Sequence, residues 1–164
     1  MVSSLDKEAD KHVRTILKQA LTEMVAHVPY DKVFANFPMD KLNEIPPNSP
    51  HSFWEVLEHI RISFLDLVDY LLDENYKEMK WPDEFWPKTK QTDEEKYNQS
   101  VEQITELYTE ILEVLGNPNM NLYAEIPLRK GTNHTPFRDI ILIIAHNSFH
   151  LGQFVQMRKQ LGIW

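Results

Sequence analysis

Four stretches of this sequence place apolar residues every three to four positions, the spacing of a buried stripe on an α-helix. No pair of segments has the alternating pattern of neighbouring β-strands. The sequence therefore predicts an all-α fold, a four-helix bundle with long loops connecting the helices, built from residues 1–164 as a single domain. The stretches run from Ser3 or Ser4 to Pro29, from Ser52 to Asp73, from Thr92 to Gly116 and from Thr135 to Gly162. The predicted stripe of the first helix consists of Val13, Ile16, Leu17, Ala20, Leu21, Met24 and Val25.

The starts of these helices carry recognisable capping signals. Ser52 with Glu55, and Thr92 with Glu95, match the capping box, in which each side chain bonds the other residue's backbone. Thr135 precedes Pro136, and proline is favoured at the first position of a helix. These signals predict where the second, third and fourth helices begin.

The connections between the predicted helices are long and contain apolar residues. The segment 30–51 is expected to pack against the bundle, and its apolar residues are Phe34, Phe37, Met39, Leu42 and Ile45. The segment 74–91 contains Trp81, Phe85 and Trp86, and its two Trp-Pro dipeptides interrupt helix periodicity. Its aromatic residues either cover an edge of the core or form the wall of a pocket. A short extended piece is expected around Pro127.

Composition limits the chemistry. The chain has no cysteine, so any metal must be held by histidine, carboxylate, carbonyl or water. A formal net charge of -8 argues against a nucleic-acid partner. The polar N-terminus has no signal-peptide core, and the longest apolar run, Ile140 to Ala145, is too short to span a membrane. A cytoplasmic protein without a membrane partner is expected.

The seven histidines fall into two groups. Four are expected to be structural or exposed: His12, His27, His51 and His134. Of these, His51 or His134 could line the mouth of a pocket. The other three belong to buried helix faces. His146 and His150 are four residues apart and share one face of the last helix, and His59 lies at the edge of the apolar stripe of the second helix.

Two interpretations of these three histidines are open. Each imidazole can find its own hydrogen-bond partner, or one metal ion can satisfy several rings at once, since burying an unpaired polar group costs about 1 to 3 kcal/mol. An inward histidine from a second helix favours the metal. Three imidazoles leave coordination positions open for water, which is typical of a reactive metal rather than a closed structural one.

The motif around these histidines excludes several enzyme classes. A zincin needs HExxH, but the sequence has HNSFH, with Asn147 at the glutamate position. No second helix carries Glu-x-x-His, so a carboxylate di-iron centre is not expected. The chain has only four glycines and contains no phosphate-binding loop, dinucleotide fingerprint or nucleophile elbow.

His59 in SFWEVLEHI, together with HNSFHLGQ near the C-terminus, resembles the DinB/YfiT-like family of metalloenzymes, and the resemblance extends over nearly the whole chain. It implies one divalent metal ion, zinc or nickel, bound by His59, His146 and His150. Gly152 and Gln153 match the trailing GQ of the family motif. Gly152 is expected to allow close helix approach. Gln153, Asn147 and Trp86 are expected beside the metal ligands, as hydrogen-bond partners or as lining of the cavity.

The resemblance also implies a function. Characterised members are similar to low-molecular-weight thiol transferases that depend on bacillithiol or mycothiol and act in detoxification or stress response. A small-molecule substrate and a possible homodimer are therefore expected. Two alternatives are kept: a metal-dependent hydrolase that uses the same site, and a non-catalytic metal-binding stress-response protein. No general base is evident, because Glu58 points away from His59 and Glu55 is engaged in the cap.

Overall fold

The computed structural model describes residues 4–23 and 26–164, and these form helices connected by loops, with no β-strand among them. The prediction of an all-α fold is confirmed. Two 3-10 turns, Met39–Lys41 and Pro127–Arg129, lie in the connections. The α-helices are α1 (Ser4–Thr22), α2 (Tyr30–Phe34), α3 (Phe53–Leu72), α4 (Glu94–Gly116) and α5 (Pro136–Gln160).

Helix α3 lies at the centre of the fold and packs against both α4 and α5. It is antiparallel to α5, because Phe53 at its start contacts Phe154 near the end of α5, while Tyr70 near its end bonds His134 just before α5 begins. Helix α1 packs against the same two helices from the other side. The early turns of α3 therefore face the later turns of α5, which is where the sequence places the three candidate histidines.

The predicted helix starts are confirmed for α3 and α5. Ser52 accepts a hydrogen bond from the Glu55 amide, and the Glu55 carboxylate accepts one from the Ser52 amide. Thr135 accepts from the Arg138 amide, with Pro136 at the first helical position. The prediction for α4 is wrong by one residue, since Asp93 caps that helix.

Thr92 does not cap α4 because its backbone is bonded elsewhere. Its amide donates to the Asn43 side chain, and its carbonyl accepts from the Asn43 amide group, each at 2.8 Å. This reciprocal pair fixes the end of the loop before α4 to the segment that precedes α3. Local sequence patterns cannot predict a hydrogen bond between two segments that are distant in the sequence.

The connection 30–51 packs on the bundle as expected, although it is more helical than the sequence indicates. Phe34 and Phe37 are buried, and the former lies in the short helix α2. The expected burial of Ile45 is wrong, because its side chain is 56% exposed. Ile16, assigned to the stripe of α1, is also exposed. An extended piece around Pro127 is replaced by a 3-10 turn, and the predicted positions Ser3, Met24 and Val25 lie outside the described residues.

Two arginines link other parts of the chain to the C-terminal ends of helices α3 and α4. Arg14 on α1 donates to the carbonyls of Leu115 and Asn117 at the C-terminus of α4. Arg129 donates to the carbonyls of Asp69 and Asp73 at the C-terminus of α3, the latter at 2.6 Å. Asp73 and Asn117 are the C-cap residues of α3 and α4, whose carbonyls have no partner within the helix, so each guanidinium satisfies such an acceptor and complements the helix dipole.

None of the helices in residues 4–23 and 26–164 combines the length and the apolar character that crossing a bilayer requires.

Candidate metal centre

The three candidate histidines come together between α3 and α5. His59 lies in the second turn of α3 and is 2% exposed. His146 and His150, one turn apart on α5, are partly buried and face it. The antiparallel packing of the two helices is the reason that residues 87 and 91 positions apart in the sequence meet.

The same ring atom of each histidine points toward a common centre. The Nε2 atom of His59 lies 3.1 Å from Nε2 of His150 and 3.2 Å from Nε2 of His146. The three side chains each offer one ligand nitrogen, and these nitrogens all lie within 4.8 Å of one another. Nitrogens that share one ion at about 2.0 to 2.1 Å lie about 3 Å apart. The three-histidine group could therefore hold a metal ion.

The opposite nitrogen of each ring faces an oxygen. The Nδ1–H of His59 donates to the Phe85 carbonyl at 2.7 Å, and that of His150 donates to Oε1 of Gln153 at 2.9 Å. Nδ1 of His146 lies 3.4 Å from Oδ1 of Asn147. These acceptors hold the ring proton at Nδ1 and leave the Nε2 lone pair free, which is the arrangement expected for metal-ligating imidazoles.

This tautomer makes the donor set fit a cation. With the protons at Nδ1, the Nε2 lone pair of His59 faces those of His146 and His150 at hydrogen-bonding distance with no proton between them. Lone pairs held so close repel, and burying them unpaired costs free energy. A cation bound between the rings would satisfy all three at once, and imidazole nitrogen is a ligand that zinc, copper, iron and nickel all accept.

The environment keeps these rings neutral. Burial lowers the pKa of His59 and of His146, and for His146 the neighbouring His59 lowers it further. Burial also lowers the pKa of His150 to about 4, against an opposing contribution from the Gln153 hydrogen bond. Neutral imidazole is the form that binds a metal ion, so near pH 7 no proton has to be displaced.

The three residues that the sequence predicts beside the metal ligands, Gln153, Asn147 and Trp86, have different surroundings in the structure. Gln153 bonds His150 directly, one turn further along α5. Asn147 is 2% exposed, and its amide group donates to the Tyr108 hydroxyl at 3.4 Å, so it faces the core rather than an open cavity. Trp86 stacks on the ring of His59, with 4.1 Å between centroids and 7° between planes. It forms a wall of the site.

The four remaining histidines have separate surroundings. His51 stacks on the face of Trp86 that points away from His59, with 3.9 Å between the ring centroids. His134 bonds the Tyr70 hydroxyl at 2.7 Å, and His27 bonds the Ser148 hydroxyl at 2.8 Å. His12 is exposed.

Carboxylates near His59 are engaged elsewhere. Glu55 closes the capping box of α3. Glu58 is 7% exposed, accepts two hydrogen bonds from Arg61, at 2.8 and 2.9 Å, and accepts a third from Ser100 at 2.6 Å. These contacts turn Glu58 toward α4 and away from the histidines. Neither side chain offers a free general base to the centre.

The expected role of Gly152 is wrong. It is exposed, and a Cβ atom added there would meet no atom within 4 Å. No helix within residues 4–23 and 26–164 of the same chain therefore packs against it.

Sequence reasoning missed two contributors, the Phe85 carbonyl and the stacking of His51. A backbone carbonyl has no sequence signature, since every residue carries one. The only available signal was the aromatic character of the segment 74–91, which indicated a pocket wall as one of two possibilities.

Fold and site together define an all-helical protein with a three-histidine group that could hold a metal ion. A family model described as the DinB superfamily matches residues 17–154, which include all three histidines. The chain belongs to the DinB superfamily. Neither the curated proteins nor the solved structures include a significant match to it.

Proposed function

We propose that this protein is a metal-dependent enzyme that acts on a small molecule, with one divalent ion, zinc or nickel, held by His59, His146 and His150. The convergence of three unprotonated Nε2 atoms carries the proposal, because each ring has its other nitrogen bonded to an oxygen. Three protein ligands leave coordination positions for water or substrate, as in catalytic rather than structural sites.

The proposed reaction is transfer of a low-molecular-weight thiol to an electrophile, in detoxification or stress response in the cytoplasm. A divalent ion, when bound, supplies positive charge that stabilises a thiolate or hydroxide near neutral pH. The donor set supports this, since three neutral ligands do not reduce that charge and Glu55 and Glu58 are engaged elsewhere. The sulfur forms a bond to the electrophilic carbon, the leaving group departs with its electron pair, and the thiol proton passes to solvent.

The test is a turnover assay on zinc-loaded and nickel-loaded protein. An aryl halide serves as the electrophile, and bacillithiol, mycothiol, glutathione and cysteine serve as thiols, with the thioether product measured by mass spectrometry. Product formation with at least one thiol is expected. We expect the rate to fall by at least about 100-fold in His150→Ala and after chelation, because even outer-shell changes at metal sites typically cost 10- to 100-fold.

His134→Ala is the matched control, because it removes a histidine that lies outside the centre and bonds Tyr70. It should keep the wild-type rate. Full turnover by His150→Ala contradicts the catalytic assignment. Ester or amide hydrolysis without thiol transfer identifies the hydrolase alternative. A tightly held ion with neither reaction identifies the non-catalytic alternative, which the cover of Trp86 over His59 favours.

We also propose that the exposed face of α5 pairs with the same face of a second copy. Ile141, Leu142 and Phe149 on this face are 42%, 38% and 70% exposed, and Ala145 and Gly152 between them permit close approach. Asp139 is the one acidic residue of α5 and is fully buried, so the exposed face of this helix bears no carboxylate. Two acidic chains can therefore meet there without facing carboxylates, in a two-fold symmetric contact.

The mass of the protein in solution tests this pairing. Light scattering is expected to give the mass of a dimer for the wild type and of a monomer for Ile141→Glu, because the substitution places a buried charge at the contact. Zinc binding should be retained in that variant, since Ile141 lies outside the histidine group. A monomeric wild type at all concentrations contradicts the pairing.

A further inference from the structure

The loop between α3 and α4, residues 73–93, is called here the aromatic loop. Its residues Phe85 and Trp86 both contact His59, one through the backbone and one through the side chain. We propose that Trp86 is a positioning residue for His59, and that docking of this loop on α3 and binding of a divalent ion are coupled, so that Trp86 sets the affinity of the centre for the ion.

The backbone contact fixes which nitrogen of His59 carries the proton. The Phe85 carbonyl lies 2.7 Å from Nδ1, so the proton stays on Nδ1 and the lone pair of Nε2 faces the other two histidines. Docking of the loop therefore favours the tautomer in which the ligand atom of His59 is available. Partners of this kind orient metal-ligating imidazoles and raise their basicity.

The stacking contact adds a preference for the loaded state. The indole of Trp86 is nearly parallel to the imidazole of His59, at 7° and 4.1 Å. An aromatic face is negative, and it attracts a ring more strongly when that ring carries positive charge. An imidazole that donates its lone pair to a cation becomes more positive, so the stack is stronger with the ion bound. That difference is the coupling free energy between the loop and the ion.

The indole is held from both sides. His51, one residue before the N-cap of α3, stacks on the opposite face of Trp86 at 3.9 Å and 21°. Trp86 is therefore clamped between two residues near the start of the same helix, and its plane is fixed relative to His59. Fixed placement matters because a freely rotating indole would lose part of the stacking free energy to side-chain entropy.

Other contacts hold the loop independently of Trp86. The indole N–H of Trp54 donates to the Thr89 carbonyl at 2.9 Å, and Thr92 and Asn43 exchange two hydrogen bonds. Removal of the Trp86 side chain should therefore leave the C-terminal part of the loop attached. This makes a substitution at Trp86 a test of the stack rather than of loop folding.

The loop contains its own matched control. Trp81 is 71% exposed, and its described ring contact is to Phe85, at 5.3 Å, rather than to a histidine. Trp81→Ala removes the same side chain from the same loop at an exposed position with no described contact to a histidine.

The experiment is a zinc titration against a competing chelator, with hydrogen exchange of the loop amides measured with and without zinc. Trp86→Ala and Trp86→Leu are expected to weaken zinc binding by about 5- to 30-fold, the range of a partly desolvated cation–π contact. Trp81→Ala should stay within about twofold of the wild type. Zinc should slow exchange at residues 85–90 in the wild type and have a smaller effect in both Trp86 variants.

Three results overturn the inference. The first is an unchanged zinc affinity in both Trp86 variants. The second is full rescue by Trp86→Leu, which would assign the effect to bulk rather than to the aromatic face. The third is loop exchange in the wild type that does not respond to zinc. Each readout concerns binding of the ion alone, so an absence of thiol transfer would reject the proposed function and leave this inference standing.

Discussion

Replacing His59 with alanine is expected to weaken zinc binding by at least about 100-fold, since loss of an outer partner alone typically costs 10- to 100-fold at metal sites. His59 is the ligand candidate supplied by α3, and its Nε2 atom lies within 3.2 Å of both other Nε2 atoms. Without it, the two histidines of α5 remain as a pair exposed to water. Titration of the metal-free protein with zinc in the presence of a chelator measures the loss.

Two variants make this result specific. His146→Ala should weaken binding as strongly as His59→Ala, because each removes one member of the group. His134→Ala should leave the affinity within about twofold of the wild type, since His134 bonds Tyr70 outside the group. Wild-type affinity in His59→Ala would show that zinc binds somewhere else.

Phe154→Ala is expected to lower the free energy of unfolding by about 3 to 5 kcal/mol. Phe154 is fully buried on α5 and contacts Phe34, Phe37 and Phe53, with ring centroids 5.2 to 5.6 Å away. These residues come from α2, the connection 30–51 and α3, so the substitution opens a cavity where three parts of the fold meet. Chemical denaturation measures the change.

Trp81→Ala provides the comparison for this prediction, because it also reduces an aromatic residue to alanine but at a position that is 71% exposed. Its effect on unfolding should stay within about 0.5 kcal/mol. Equal losses in the two variants would mean that Phe154 does not pack in the core as described.

Local patterns in the sequence were sufficient to predict most of the helices. The stripe from Phe53 to Leu71 and the Ser52–Glu55 capping box define α3, and both depend on residues within a few positions of one another. The start of α4 was misplaced because the backbone of Thr92 is held by Asn43, 49 residues away. Ile16 was assigned to the stripe of α1 by its spacing, and Ile45 was expected to pack against the bundle as an apolar residue of the connection 30–51. Both are exposed, since an apolar residue can lie on the surface without a specific partner.

The residues of the site also fall into two groups, those that local sequence patterns predict and those whose positions depend on packing between distant segments. His146 and His150 share a helix face by spacing alone, and His59 lies on the inner edge of a periodic stripe, so all three were identifiable as inward-facing. The sequence could not supply the distances between them, because these depend on how α3 and α5 pack. The role of the Phe85 carbonyl could not be predicted from the sequence, because the position of this carbonyl depends on the path of the aromatic loop. Gly152 was assigned by analogy to a close helix contact, which is absent among the described residues of the chain.

The most direct measurement of the central claim is an anomalous difference map from crystals of the zinc-loaded protein. We predict one peak equidistant from the Nε2 atoms of His59, His146 and His150, at about 2.0 to 2.1 Å from each. A peak elsewhere, or no peak between these rings at full zinc occupancy in solution, would contradict it.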